Sequence, residues 1–152
     1  MSTNILKSRF LWPVFFASGT FGAFDAFYLT WEHFKGVVPP CTIDGCEQVL
    51  TSEYATLLTV PISLFGFLFY LTALVIAAWY IKRSSTKKLF LLLVLTTSGL
   101  FVSFLLIYVQ LFVLEAICLY CMFSAFSTFL LWTISFVVYF LDKRDLQNRI
   151  SF

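Results

Sequence analysis

Long apolar runs separated by short polar clusters dominate the chain. Residues 10–31, 60–81, 89–114 and 118–141 are each apolar over a length that crosses a hydrocarbon core as a helix, which takes about 20 residues. The first run carries one charge, Asp25, about two turns inside its end, and the other three carry none. Pro61 fits the opening of the second run, where a missing amide hydrogen costs nothing, and the residues just before it, around Tyr54 to Thr59, read as interfacial. No segment alternates apolar and polar residues as a barrel strand does. Helices satisfy their own backbone groups in lipid, so the pattern predicts an all-α integral membrane protein. Its architecture is a four-transmembrane-helix bundle in a single domain spanning 1–152, with an outer loop over 32–59.

Composition agrees with that solvent. Of 152 residues, 61% are apolar and 12% charged, too few charges to cover a soluble domain of this size. The 20 phenylalanines are expected mostly against lipid and in packing. Charge placement then sets orientation, because Lys and Arg in short loops stay cytoplasmic. Lys7 and Arg9 precede the first run, Lys82, Arg83, Lys87 and Lys88 join the second to the third, and Lys143, Arg144 and Arg149 follow the fourth. Lys35 alone lies on the other face, among Glu32, Asp44, Glu47, Glu53 and Glu115. Both termini are therefore expected in the cytoplasm, in a multi-pass protein of the cell's inner (plasma) membrane. Trp12, Trp79, Tyr80 and Tyr139 near one boundary and Trp31 near the other fit aromatic belts. The first run lacks a small-residue cleavage site at its exit and continues into Tyr28, Trp31 and Glu32, so it reads as a retained span.

The candidate chemistry is sulfur. The 4 cysteines form two close pairs, Cys41 with Cys46 in the long loop and Cys118 with Cys121 at the start of the fourth run. Both pairs fall on the outer face, where disulfides form and persist. Cys41 follows two prolines, a turn is expected at Asp44 and Gly45, and a short helix begins at Cys46, with Cys46, Val49 and Leu50 toward the membrane and Glu47 toward water. In the second pair, the spacing across one helical turn brings the thiols near each other, and a helix N-terminus stabilises the thiolate of the leading one. Cys118 is expected as the more exposed sulfur and Cys121 one turn deeper. A relay from water toward lipid is one reading of this layout. Two structural disulfides, or a zinc site of four thiols, are the others that spacing allows, although a disulfide across one turn constrains little and no histidine lies close to either pair. His33, the only histidine, reads as an interfacial polar residue.

The ordered set of motifs resembles the vitamin K epoxide reductase family, in particular its prokaryotic members. It comprises "FYLTWEH" closing the first run, Cys46 followed by Val49, Ser52 and Tyr54, "VPISLFG" opening the second run, and "AICLYC" opening the fourth. The resemblance covers residues from about 18 to 135. It implies a short outer-face loop helix that caps a quinone pocket within the bundle. Electrons from a partner's thiols are expected to enter at Cys41, pass through Cys46 to Cys118, and leave from Cys121. Ser52 would donate a hydrogen bond to the quinone headgroup, with Val49, Leu50, Phe65 and Phe69 as apolar walls. Transfer between thiols proceeds through mixed disulfides and needs neither metal nor nucleotide.

The implied acceptor is a quinone of ubiquinone, menaquinone or phylloquinone type. The implied partner is a DsbA-like secreted protein of thioredoxin fold, in a setting of membrane lipid and with no nucleic acid. Animal members that reduce vitamin K epoxide carry an Asn and a Tyr where this chain has Ile62 and Ala125, which favours a plain quinone. The thioredoxin-like domain that some prokaryotic members carry is not seen after Leu141, so the partner is expected as a separate chain. The DsbB-type oxidases resemble this chain in topology but place their CxxC in the first outer loop, whereas here it is second. The expected function is a quinone-dependent thiol oxidase supporting disulfide formation in exported proteins. The alternatives are a quinone or vitamin K epoxide reductase fed by protein thiols, and a non-catalytic scaffold with structural disulfides.

Overall fold

The computed structural model describes residues 3–40, 45–57 and 60–150. Helix α1 (Thr3–Lys35) leads into the loop, which holds the short helix α2 (Cys46–Leu50), a 3-10 turn (Glu53–Ala55) and a two-stranded hairpin, β1 (Thr56–Leu57) and β2 (Val60–Pro61). Helices α3 (Ile62–Lys82), α4 (Thr86–Tyr108) and α5 (Leu119–Ile150) follow, and a π-helical turn (Val109–Val113) prolongs α4. Four segments are long and apolar enough to cross a membrane: Phe10–Lys35, Ile62–Lys82, Thr86–Val113 and Leu119–Arg144. The expected helical membrane bundle is therefore the fold.

Local chemistry accounts for the helix ends. Gly36, at φ 68, closes α1: its amide donates to His33 O at 3.0 Å and that of Val37 to Glu32 O at 3.1 Å, a left-handed cap that glycine adopts without strain. Pro61, extended at φ −64, stands as the N-cap of α3, at the opening the sequence indicated. Between α3 and α4, Lys88 donates to Arg83 O at 2.9 Å and to Trp79 O at 3.3 Å while lying 4.1 Å above the Trp79 ring. One cation thus caps the carbonyl end of α3 and tightens a very short connection. At the same end, Asp142 of α5 accepts from Thr86 at 2.9 Å and from Tyr80 at 3.4 Å.

Around the bundle, α1 packs on α3 and α5, and α4 packs on α5 and α3, so each spanning helix has two main neighbours. Lipid removes the ordinary hydrophobic drive for helices to associate, and close packing with interhelical hydrogen bonds must supply it. Small residues allow that approach. A side chain at Gly22 would collide with the Tyr70 ring, and one at Gly99 with Phe69, so α1 meets α3 and α3 meets α4 through glycine. The Tyr70 hydroxyl, buried at their centre, donates to Ser124 O at 2.6 Å and bonds Ser124 Oγ at 3.0 Å and Thr128 Oγ1 at 2.9 Å. Thr30 adds a bond to Ser63 at 2.9 Å between α1 and α3. The main core gathers Trp12, Phe15, Tyr70, Leu89, Leu131 and Ile134. Among the described residues Phe15 is the one buried phenylalanine, and rings such as Phe24, Phe104 and Phe126 face outward, as lipid-facing residues do.

Candidate functional site

A second, smaller core sits at the opposite end of the bundle from Asp142, and it is built around sulfur. Cys46, Val49, Ala116 and Cys118 are buried together, with Leu50, Leu114, Leu119, Tyr120 and Cys121 packed on them. Two loops remote in sequence meet here because α2 is fastened to the segment before α5. Gly45, at φ 123, begins α2, and a Cβ there would lie 3.2 Å from Ile117 N and 3.3 Å from Ala116 Cβ. Only glycine combines that backbone angle with so close an approach. One turn on, Gln48 Nε2 donates to Leu114 O at 3.0 Å. The Tyr120 hydroxyl donates to Pro40 O at 2.9 Å and fixes the chain entering the loop.

The receiving segment has its own scaffold. Gln110, 4% exposed inside the π-helical turn, accepts through its backbone carbonyl from Ala116 N at 3.0 Å and through its side-chain Oε1 from Cys118 N at 2.9 Å. A single amide side chain thereby pins the backbone of the leading CxxC cysteine. Glu115 turns at φ 49 between them, a left-handed conformation unusual for a non-glycine residue. The sequence reading missed Gln110. Its signal was nonetheless present, as the one amide side chain within an uncharged span.

Cys46 is disulfide-bonded, whereas Cys118 and Cys121 are free thiols. Cys41 lies outside the described residues. Cys46 faces the cluster and Glu47 faces outward, as helical spacing predicted. The exposure of the other pair is reversed from the expectation: Cys118 is 0% exposed, and Cys121 retains accessible surface. The cause is tertiary, since α2 roofs the start of α5 and covers the residue that a bare helix end would have left open. The helix begins at Leu119, and Cys118 stands just before it, its carbonyl accepting from Met122 N at 3.1 Å. The Cys121 thiol donates to the Cys118 sulfur and holds it below its ordinary value of 9.0, at about 7, against the opposing effect of burial. Backbone amides of Cys121 and Tyr120 contribute in the same direction. A lowered leading thiol agrees with the helix-terminus expectation, but the neighbouring thiol is the larger cause.

The expected quinone residues divide. Val49 and Leu50 stand with the thiols, and Ser52 is half-buried beside them with its hydroxyl donating to Val49 O at 2.7 Å. Phe69 belongs to the main core, its ring 5.2 Å from Tyr70 and over Gly99, and Phe65 is half exposed on the outer face of α3. An apolar groove of about 340 Å³ opens between α4 and α5, lined by Leu100, Phe104 and Ile107 on one side and Met122, Ala125 and Phe126 on the other. None of the expected quinone residues lines it. An apolar shell around two thiols, with an apolar groove that begins one residue on at Met122, fits a flat apolar ring bearing two oxygens. Among the described residues no three His, Cys, Asp or Glu side chains converge as metal ligands. One acidic group does stand close: Asp25 acts electrostatically on both Cys118 and Cys121, and its Oδ2 is buried with no hydrogen-bond partner.

Among curated proteins, none matches the chain. The sequence profile of the Vitamin K epoxide reductase family matches residues 13–136, a stretch that takes in α2, the CxxC and the greater part of all four spans. The chain therefore belongs to the vitamin K epoxide reductase family, whose members are membrane oxidoreductases acting on thiols and quinones.

Proposed function

We propose that the chain is a quinone-dependent thiol oxidase that relays electrons from a secreted, DsbA-like thioredoxin-fold partner through its two cysteine pairs, supporting disulfide formation in exported proteins. The observation that carries this reading is the burial of Cys46 and Cys118 in one cluster, with Cys121 packed against it. The placement of Lys and Arg supports both termini in the cytoplasm and the cysteines on the outer face.

The relay runs by thiol–disulfide exchange. The partner's dithiol reduces the loop disulfide at Cys41 and leaves as a disulfide. The Cys46 thiolate then attacks Cys118 in the oxidised CxxC, forming a Cys46–Cys118 bond and expelling Cys121 as the thiolate. Cys41 attacks Cys46, which restores the loop disulfide and frees Cys118, and the two protons given up by the partner's dithiol balance those taken up by Cys118 and Cys121. A disulfide-bonded Cys46 beside two free CxxC thiols corresponds to this stage, with the electron pair held on Cys118 and Cys121. A bound quinone supplies a two-electron acceptor, and the pair closes to a disulfide as it gives up its electrons. Cys121, the thiol with remaining surface, is the donor; Val49 and Leu50 exclude water from the exchange, and the groove beside Met122 and Ala125 offers an apolar approach from lipid. Ser52 is engaged with Val49 O, so it would serve a headgroup by accepting or by exchanging that bond. Apolar side chains at Ile62 and Ala125 favour a plain quinone over an epoxide.

The test mixes purified protein with a short-chain quinone and a reduced DsbA-like donor and follows quinone absorbance. Turnover by the wild type and none by Cys121→Ala is expected. A wild type that cannot reduce quinone with any thioredoxin-fold donor would refute the reading.

A further inference from the structure

Asp25 has no role in the relay as described, yet its position is specific. The α1 face carrying Phe21, Asp25 and Tyr28 is the one turned to α5: the Phe21 ring lies 6.2 Å from Phe123 and the Tyr28 ring 5.9 Å from Tyr120. These two contacts bracket Asp25 between them and set it at the level of Cys121. The carboxylate is electrostatically coupled to Cys118, Cys121, Tyr70 and Tyr120. Those groups, on α3 and at the start of α5, together with Tyr28 on its own helix, are the titratable neighbours, and the one ion pair among the described residues joins Lys35 to Glu32 instead. The nearby hydroxyls of Tyr70, Ser124 and Thr128 satisfy one another. Asp25 Oδ2 is thus left buried and unpartnered. A carboxylate that served packing in lipid would have a cation or a hydrogen-bond donor, because leaving it bare there is expensive.

We propose that Asp25 is the proton-exchange group of the Cys118–Cys121 pair, taking the proton that Cys121 sheds as the pair is oxidised and passing it on toward the acceptor. This rests on the reading that the pair reduces a quinone. When it does, two S–H bonds break and one S–S bond forms. Two electrons go to the quinone, and two protons must reach its oxygens. One proton comes from Cys118. The other leaves Cys121 and passes through Asp25, whose carboxylate is regenerated. Without such a group, the apolar site offers the Cys121 proton only the Cys118 sulfur, which is itself consumed as the disulfide forms.

Two measurements test this. The first uses the wild type: the apolar reagent dicyclohexylcarbodiimide modifies protonated carboxyls in membranes, and peptide mass spectrometry reads its rate at Asp25. Faster modification with Cys118 and Cys121 reduced than with the pair oxidised is expected, since a thiolate and a carboxylate exclude each other's charge. The second compares single-turnover oxidation of the reduced pair by a short-chain quinone. Asp25→Asn is expected to slow it by about 100-fold or more, with its pH dependence flattened, and Asp25→Glu to restore most of the rate. Modification insensitive to the redox state of the thiols, or Asp25→Asn oxidising at the wild-type rate, would overturn the proposal. If Asp25→Asn fails to fold, the wild-type measurement decides alone. If the wild type reduces no quinone while modification still follows thiol redox state, the quinone reading falls and proton exchange with the thiols stands.

Discussion

Replacing Gly45 by alanine tests how Cys46 is delivered to Cys118. Gly45 has φ 123, where a side chain is strained by about 1–3 kcal/mol, and its Cβ would press on Ile117 N at 3.2 Å and Ile117 O at 3.3 Å. Those are backbone atoms fixed through Gln110, so α2 rather than Ile117 must give way by a few tenths of an ångström. In the resting protein that shift relieves the strain. In the exchange transition state the attacking Cys46, central Cys118 and leaving Cys121 sulfurs must be in line, and the strain returns. At roughly 1.4 kcal/mol per factor of ten, internal transfer should slow about 5- to 140-fold. The assay reduces the loop pair, quenches with an alkylating agent of distinct mass, and follows reduction of the CxxC in quinone-free protein. Gly36→Ala is the control, since Gly36 also has a positive φ, of 68, but nothing lies within 4 Å of its Cβ. It should pay backbone strain at the end of α1 and leave transfer unchanged. A Gly45→Ala protein that transfers at the wild-type rate, or a Gly36→Ala protein slowed as much, would refute this reasoning.

Other outcomes follow from the same geometry. Cys118 sits at about 7 chiefly because Cys121 donates to it, so Cys121→Ala should raise it toward 9.0 and Cys121→Ser, which keeps a donor, should raise it less. In the wild type the Cys118 thiolate grows as pH rises through about 7, and thiolate absorbance against pH should show that midpoint move upward in the alanine variant. Gln110→Leu strips the buried amide of Cys118 of its acceptor, and a loss of about 1–3 kcal/mol in unfolding free energy, with slower transfer between the pairs, is expected in detergent titrations. Gly22→Ala forces α1 off the Tyr70 ring and should cost about 1–3 kcal/mol, read as a lower unfolding midpoint, because overpacking a close helix contact is not relieved by a small rotation.

The spanning helices were legible because each element is written locally: apolar length, Pro61 at an opening, and basic residues at one end. The loop helix beginning at Cys46 was legible too, from the spacing of Cys46, Val49 and Leu50 and the glycine before them. What escaped is what one segment does to another. Cys118 reads as an exposed helix start when α5 is taken alone, and it is buried only because α2 lies across it. Gln110 reads as a stray polar residue until the π-helical turn swings its amide under Cys118 N. The hairpin pairing Leu57 with Val60 is two residues per strand, too short for any alternation to announce it. Phe65 and Phe69 share a helix face on paper, yet one is half exposed while the other fills the space over Gly99.

Direct transfer from Cys46 to Cys118 beneath α2 is the step on which the relay depends. It can be trapped in a Cys41→Ser, Cys121→Ser protein, where neither sulfur has its usual partner, by mild oxidation followed by peptide mapping. A single intramolecular Cys46–Cys118 disulfide forming in nearly every molecule is the predicted result. Two persistent free thiols, or disulfides only between chains, would contradict it.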